Sequence, residues 1–366
     1  MKKLITLLLS AALLGWQFLG AQAPSEANCH YIQASELTMT GKLFPDTPNP
    51  YHRIDTVAHK GFTERENLQV RMSSGLGIAF RTDSPWIRIR AKYGYIDHPT
   101  GTMPIAAKGF DLYIQKDGKW LWAAAAARPD GREEEPFTIV QNMDGSMHEC
   151  LLYLPLLSEL YSLEIGVLNG KTIEAIPNPF RGRVAIFGSS FTHGISCSRA
   201  GMTYPAQFSR ATGIQFLSIA CSGNCKLQPY YADALAAADA DAFVFDSFSN
   251  PTIAEIEERL FPFIEKLQAA HPGKPLIFQK TIYRESRNFS TVNEKKEADR
   301  IVVVDSLMTV ACKKYPDVYY VKTTNATAPS HETSVDGTHP DSYGYTLWAR
   351  SVEKPILKIL RKYGIK

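Results

Sequence analysis

Arg183-Val184-Ala185-Ile186-Phe187 runs directly into Gly188-Ser189-Ser190-Phe191-Thr192-His193-Gly194. The first five residues read as a short buried strand, apolar apart from its leading arginine and bounded by turn-formers. The glycine-flanked turn that follows leads into a helix, which leaves Ser190 at the carboxyl end of a strand. Downstream the same rhythm repeats, with strand-like runs at 216–220, 242–246, 275–279 and 318–321. Between them lie helical patterns. The clearest puts Ile253, Ile256, Leu260, Ile264 and Leu267 on one stripe, and a long helix over 342–363 closes the chain. Strands alternating with helices predict an α/β unit over 181–366, a parallel sheet covered on both faces.

Upstream of about residue 180 the pattern is different. Alternating runs occur at 76–80, 86–93, 109–115, 119–123, 147–154 and 161–168, separated by turns such as Thr82-Asp83-Ser84-Pro85 and Lys116-Asp117-Gly118. In the second run Ile87, Ile89 and Ala91 fall on one face, with Trp86, Arg88 and Arg90 on the other. Asn169-Gly170 is a hairpin signal, and no convincing helix precedes residue 180. These features predict an antiparallel β-sandwich or jelly roll over 28–178.

In a doubly wound sheet, chemistry gathers at the carboxyl ends of the strands. The loop after Phe187 contains neither Gly-Lys-Ser/Thr nor GxGxxG, so it does not read as a phosphate cradle. A serine at such a turn can act as a nucleophile beside backbone N–H groups that hold an oxyanion, given a base; it can equally be a plain N-cap. The candidate base lies in Asp336-Gly337-Thr338-His339, where a carboxylate three residues before an imidazole can fold back onto it. His331, Glu332, Asp336 and His339 match no common metal spacing, so no metal or other cofactor is expected.

Gly188-Ser189-Ser190-Phe191 resembles the first block of the GDSL, or SGNH, hydrolases, and Asp336 to His339 resembles their last. Ser222-Gly223-Asn224 is similar to the second block and Asn250 stands where the third places its asparagine. Gly109-Phe110-Asp111-Leu112-Tyr113 is similar to the signature of the GxDLY domain, a β-sandwich that precedes one SGNH subfamily. The resemblance implies a flavodoxin-like SGNH sheet and a serine esterase with the triad Ser190, Asp336 and His339. Its oxyanion donors would be the N–H groups of Ser190 and Gly223 and the amide of Asn250. Two departures stand out: Ser189 replaces the family's aspartate, and Ser249-Asn250-Pro251 lacks the usual glycine and following aspartate. His193 is a candidate substrate contact, or a packed histidine. Cys197 follows the first block, while Cys221 and Cys225 bracket the second. A disulfide from Cys197 to Cys221 or Cys225 would hold nucleophile and oxyanion loop in register, against the alternative of buried free thiols.

The resemblance implies a short-chain, acetyl-type ester substrate on a small molecule or polysaccharide, with Trp86, Trp120, Trp122, Tyr230 and Tyr231 available to stack on sugars. An acyltransferase with the same triad, or a silent carbohydrate-binding protein, are the alternatives. The chain has 366 residues, with 40 basic and 37 acidic side chains. That balance carries no basic stripe for nucleic acid. Lys2-Lys3, an apolar run to Gly20 and Ala21-Gln22-Ala23 form a cleavable leader over 1–23, which predicts a secreted or periplasmic protein without a membrane anchor. Nothing in the sequence speaks to oligomeric state.

Overall fold

The computed structural model describes residues 22–323 and 326–366, so the leader lies outside the described residues except for Gln22 and Ala23. The first half contains β1 (Cys29–Gln33), β2 (Thr38–Thr40), α1 (Glu64–Arg71), β3 (Gly77–Thr82), β4 (Trp86–Ile96) and α2 (Pro104–Ala107). It continues with β5 (Phe110–Lys116), β6 (Lys119–Ala126), β7 (Phe137–Gln141), β8 (His148–Tyr153), β9 (Ser158–Leu168) and β10 (Ile173–Ala175). The second half follows as β11 (Arg181–Gly188), α3 (Ser190–His193), α4 (Tyr204–Thr212), β12 (Ile214–Ser218), α5 (Pro229–Ala236) and β13 (Ala242–Asp246). Then come α6 (Ile253–Ala270), β14 (Leu276–Gln279), α7 (Thr291–Lys314), β15 (Val318–Val321) and α8 (Ser342–Lys362).

The upstream strands form two antiparallel sheets, one ordered β1-β9-β4-β7 and the other β10-β3-β8-β5-β6 with β2 beside β3. Ile87 and Ile89 from one sheet and Ile78, Phe80 and Leu152 from the other are fully buried in the core between them. Arg88 and Arg90 stay on the outer face, bound to Glu26, but Trp86 at the strand end is covered and 1% exposed. Asn169-Gly170 does not close a hairpin. β9 pairs with β1 and β4, whereas β10 pairs with β3, so the turn carries the chain from one sheet to the other. The expectation of no helix before residue 180 is also overturned. α1 is fixed by a capping box, Thr63 Oγ1 accepting from the Glu66 N–H (3.3 Å) while the Glu66 carboxylate accepts from the Thr63 N–H (2.8 Å).

The downstream strands form one parallel sheet ordered β12-β11-β13-β14-β15. Successive side chains of a strand point to opposite faces. Val184, Ile186, Val244 and Ile277 therefore pack with Phe208, Trp348 and Val352 of α4 and α8. Ala185, Phe187, Phe243, Phe245 and Phe278 pack with Tyr231, Leu260, Ile264 and Met308 of α5, α6 and α7. The order in which strands are added reverses at β11, with β12 on one side and β13 to β15 on the other, and the turn that leaves its carboxyl end carries Ser190.

The two halves share a core. Tyr113, Leu151 and Tyr153, on the outer face of the second antiparallel sheet, belong to the same cluster as Phe208 and Trp348. Asp111 is the polar latch between the halves. It is 0% exposed and accepts from Arg199 Nη1 (2.9 Å), the Gly201 N–H (2.7 Å) and Trp122 Nε1 (3.1 Å). Burial outweighs the Arg199 charge and raises the Asp111 carboxyl above its ordinary range. Gly109 lets the chain pass here, since a Cβ would stand 2.4 Å from the Ile105 oxygen. Among the described residues no helix is long and apolar enough to cross a membrane.

Candidate active site

Ser190 is the first residue of α3, behind the N-cap Ser189, whose hydroxyl accepts from the Phe191 N–H (3.2 Å). The turn is held from the neighbouring strand. Asp246, last residue of β13, accepts from the Ser189 hydroxyl (2.8 Å), the Ser189 N–H (3.2 Å) and the Thr192 hydroxyl (2.9 Å). Burial pushes the Asp246 carboxyl up to about 6, against those hydrogen bonds. The carboxylate that Ser189 lacks is thus supplied under the turn by another strand, a contact with no sequence signature.

The Ser190 Oγ lies 3.0 Å from His339 Nε2, and His339 Nδ1 lies 2.7 Å from Asp336 Oδ2. The other Asp336 oxygen accepts from the backbone N–H groups of His339 (2.7 Å) and Thr338 (2.9 Å). Although burial acts the other way, these bonds and the imidazole hold the Asp336 carboxyl below its ordinary value. The loop itself is clamped by Glu285, which accepts from the Thr333 and Ser334 N–H groups (2.7 and 2.8 Å), and by the Ser286 N–H on the Gly337 oxygen (2.7 Å). An imidazole between a hydroxyl and a carboxylate can move a proton to and from the hydroxyl oxygen.

The loop 221–225 adjoins this turn, the Cys221 N–H donating to the Gly188 oxygen (2.9 Å). Gly223 is exposed, with φ +74 and no atom within 4 Å of where a Cβ would stand, so backbone conformation and not space calls for glycine there. Asn250 Oδ1 accepts from the Cys225 N–H (3.3 Å), so its side-chain amide is oriented by that loop. Its backbone is held by Arg284 Nη2 and Arg300 Nη1 on the Ser249 oxygen (2.8 and 3.1 Å). The structure therefore brings Ser190, His339 and Asp336 into one hydrogen-bonded chain and ties the loops of Gly223 and Asn250 to each other.

Two open alternatives are decided for the packed reading, and the set of aromatic residues available to a sugar narrows. His193 is 0% exposed and serves as an internal strut, with Nε2 on the Leu156 oxygen (3.1 Å) and Nδ1 accepting from the Ser222 N–H (3.3 Å). The proposed disulfide is absent, since all six cysteines are free. Cys197 lies in the core beneath α4 and α8, whereas Cys221 and Cys225 lie in the core on the opposite side of the sheet. Cys221 accepts from the Tyr231 hydroxyl (3.0 Å), and Cys225 donates to the Ser247 hydroxyl (3.1 Å). Burial raises all three thiols, Cys221 to about 11. Of the aromatic residues, Trp86 and Tyr231 are core, and the Tyr230 hydroxyl is engaged by Glu66. Gln69, Asp246, Arg284 and Glu285 were not legible beside the site in the sequence; Thr63 followed three residues later by Glu66 is a capping-box pattern that could have marked the helix bearing Gln69.

The GDSL-like lipase/acylhydrolase family description matches residues 181–358, and that of the GxDLY domain, the N-terminus of SGNH-hydrolase-type esterases, matches residues 29–173. A crystal structure from Bacteroides ovatus, described as a GDSL-like lipase, is similar at 35% identity and TM-score 0.87, covering 93% of this chain and 99% of that one. A salicylyl-acyltransferase from a tetracycline biosynthetic pathway shares the fold at 20% identity and TM-score 0.68, covering 92% and 99%. A family two carbohydrate esterase from Cellvibrio japonicus does so at 10% identity and TM-score 0.59, covering 91% and 98%. No curated protein matches the sequence.

Proposed function

The chain belongs to the GDSL-like lipase/acylhydrolase family and is an SGNH-type esterase, and from that premise we propose that it hydrolyses short-chain, acetyl-type esters on carbohydrate through Ser190, His339 and Asp336. The observation that carries the triad is the hydrogen-bonded chain from Asp336 through His339 to the Ser190 hydroxyl. His339 Nε2 takes the Ser190 proton as Oγ attacks the ester carbonyl carbon. The negative charge moves to the carbonyl oxygen, where the N–H groups of Ser190 and Gly223 and the Asn250 amide receive it. Collapse expels the alcohol, which leaves with the proton from His339, and an acyl-Ser190 ester remains. Water then repeats the cycle, losing its proton to His339, and releases the acid.

The carbohydrate part of the reading rests on the two-part fold shared with the Cellvibrio japonicus carbohydrate esterase. Export rests on the leader at 1–23. The test is acetate release from acetylated xylan and from 4-nitrophenyl acetate, wild type beside Ser190→Ala. Release from both that disappears in the variant is expected. Equal turnover by wild type and variant refutes the nucleophile, and turnover of 4-nitrophenyl acetate alone refutes the polysaccharide.

A further inference from the structure

We propose that Gln69, on α1 of the N-terminal half, is a positioning residue that aims the Gly223 oxyanion donor. The inference rests on the esterase reading above. The peptide unit that carries the Gly223 N–H is the one whose oxygen belongs to Ser222. A trans peptide is planar, so its N–H and C=O point in opposite directions and aiming one aims the other. Gln69 Nε2 donates to the Ser222 oxygen at 2.9 Å. Gln69 Oε1 accepts from Asn224 Nδ2 at 2.9 Å, so the amide is held at both ends and spans the loop on either side of Gly223.

The anchor is rigid and comes from outside the parallel sheet. Gln69 is 1% exposed. Its own carbonyl accepts from Arg53 Nη2 (2.5 Å), and the same guanidinium donates through Nη1 to the Ala220 oxygen (2.9 Å), just past β12. From the nucleophile's side the Ser222 N–H is fixed by His193 Nδ1, whose ring is oriented by the Leu156 oxygen. A carbonyl can only accept and an amide N–H can only donate, so His193 is neutral with its proton on Nε2. Burial, reinforced by the Arg53 charge, keeps it that way, holding it well below the usual imidazole range. No atom stands within 4 Å of where a Gly223 Cβ would be, so the direction of its N–H is set by these bonds to the residue before it, together with that of Asn224 Nδ2 to the same Ser222 oxygen (3.2 Å). A hydrogen bond to the peptide oxygen also polarises the unit and strengthens its N–H as a donor.

Gln69→Met keeps the chain length and removes the donor. Its kcat/KM for 4-nitrophenyl acetate is expected to fall about 10- to 100-fold, a part of what a lost oxyanion donor costs, with KM within about twofold of wild type. A boronic acid that adds to Ser190 places a tetrahedral oxygen in the oxyanion site, so its Ki is expected to rise by the factor that kcat/KM loses. A merely structural role would lower thermal stability and leave both constants unchanged per folded site. Gln69→Glu keeps the volume and the acceptor for Asn224 but sets a carboxylate oxygen against the Ser222 oxygen. It is expected to lose at least as much, and it carries the test if Gln69→Met does not fold. Wild-type kcat/KM and boronate affinity in the folded variant overturn the proposal. Ser190→Ala separates the two readings. If it still hydrolyses, the assignment of Ser190 as nucleophile has failed; if it is inactive while Gln69→Met is not impaired, only the positioning role has.

Discussion

Replacing Asp336 by asparagine changes one atom, and the geometry dictates which way the new amide turns. The carboxylate accepts three bonds: its Oδ1 from the backbone N–H groups of Thr338 and His339, its Oδ2 from His339 Nδ1. An asparagine has one acceptor oxygen. Turning its NH2 toward the two backbone N–H groups would set donor against donor, so the oxygen stays there and the NH2 faces His339 Nδ1. The imidazole must then present a lone pair at Nδ1 and carry its proton on Nε2, 3.0 Å from the Ser190 Oγ. In that tautomer it cannot take the serine proton. The expected loss in kcat is about 10⁴-fold, or about 5.4 kcal/mol of barrier, with KM little changed. Asp336→Ala should lose less, because the carboxylate side chain is 46% exposed and water can accept from Nδ1 in its place. The assay is 4-nitrophenyl acetate hydrolysis by wild type and both variants, each normalised to folded protein. An asparagine variant within tenfold of wild type, or more active than the alanine variant, refutes the reasoning.

Under the proposed mechanism Asn250→Ala removes one oxyanion donor, and in the structure one bond to the Cys225 N–H, so kcat should fall about 10²- to 10³-fold while the urea midpoint hardly moves. Arg199→Met strands the fully buried Asp111 carboxylate and should cost about 3 kcal/mol of unfolding free energy, the low end for a broken buried pair because Arg199 is partly exposed. Urea titration reads this, and adding Asp111→Asn should return part of it. Asp246 titrates near 3.8 in the unfolded chain and about 6 in the folded one. Between these values the folded state holds a proton that the unfolded state has lost, so this group's contribution to stability falls as pH rises from about 4 to about 6 and is level above. The melting temperature of wild type minus that of Asp246→Asn should therefore decline across that window; a flat difference refutes the assignment.

What could be read from the sequence was what is local in the chain. Val184 to Phe187 form a strand because four consecutive apolar side chains can be buried on both faces of a sheet, and the glycine-flanked turn that follows opens a helix at Ser190. Asp336 and His339 lie three residues apart, close enough to bond within one turn of chain. The parts that escaped involve partners far apart in sequence. Asn169-Gly170 has the chemistry of a hairpin turn, but which sheet accepts the next strand is settled by pairing with β3. The spacing of Cys197, Cys221 and Cys225 allowed a bridge, yet the sheet stands between Cys197 and the other two.

Residue types and local order by themselves determined the two architectures, the turn at Ser190 and the carboxylate–imidazole pair, because backbone propensity, side-chain alternation and short loops act over a few residues. Only the tertiary structure decided that Asp246 supports the Ser190 turn, that His193 is a strut and that Gln69 reaches the Ser222 peptide from the other half of the chain. Each of those bonds joins groups 29 to 153 residues apart. A buried polar atom takes whichever partner the packed core brings within reach, and that choice is made by the fold as a whole.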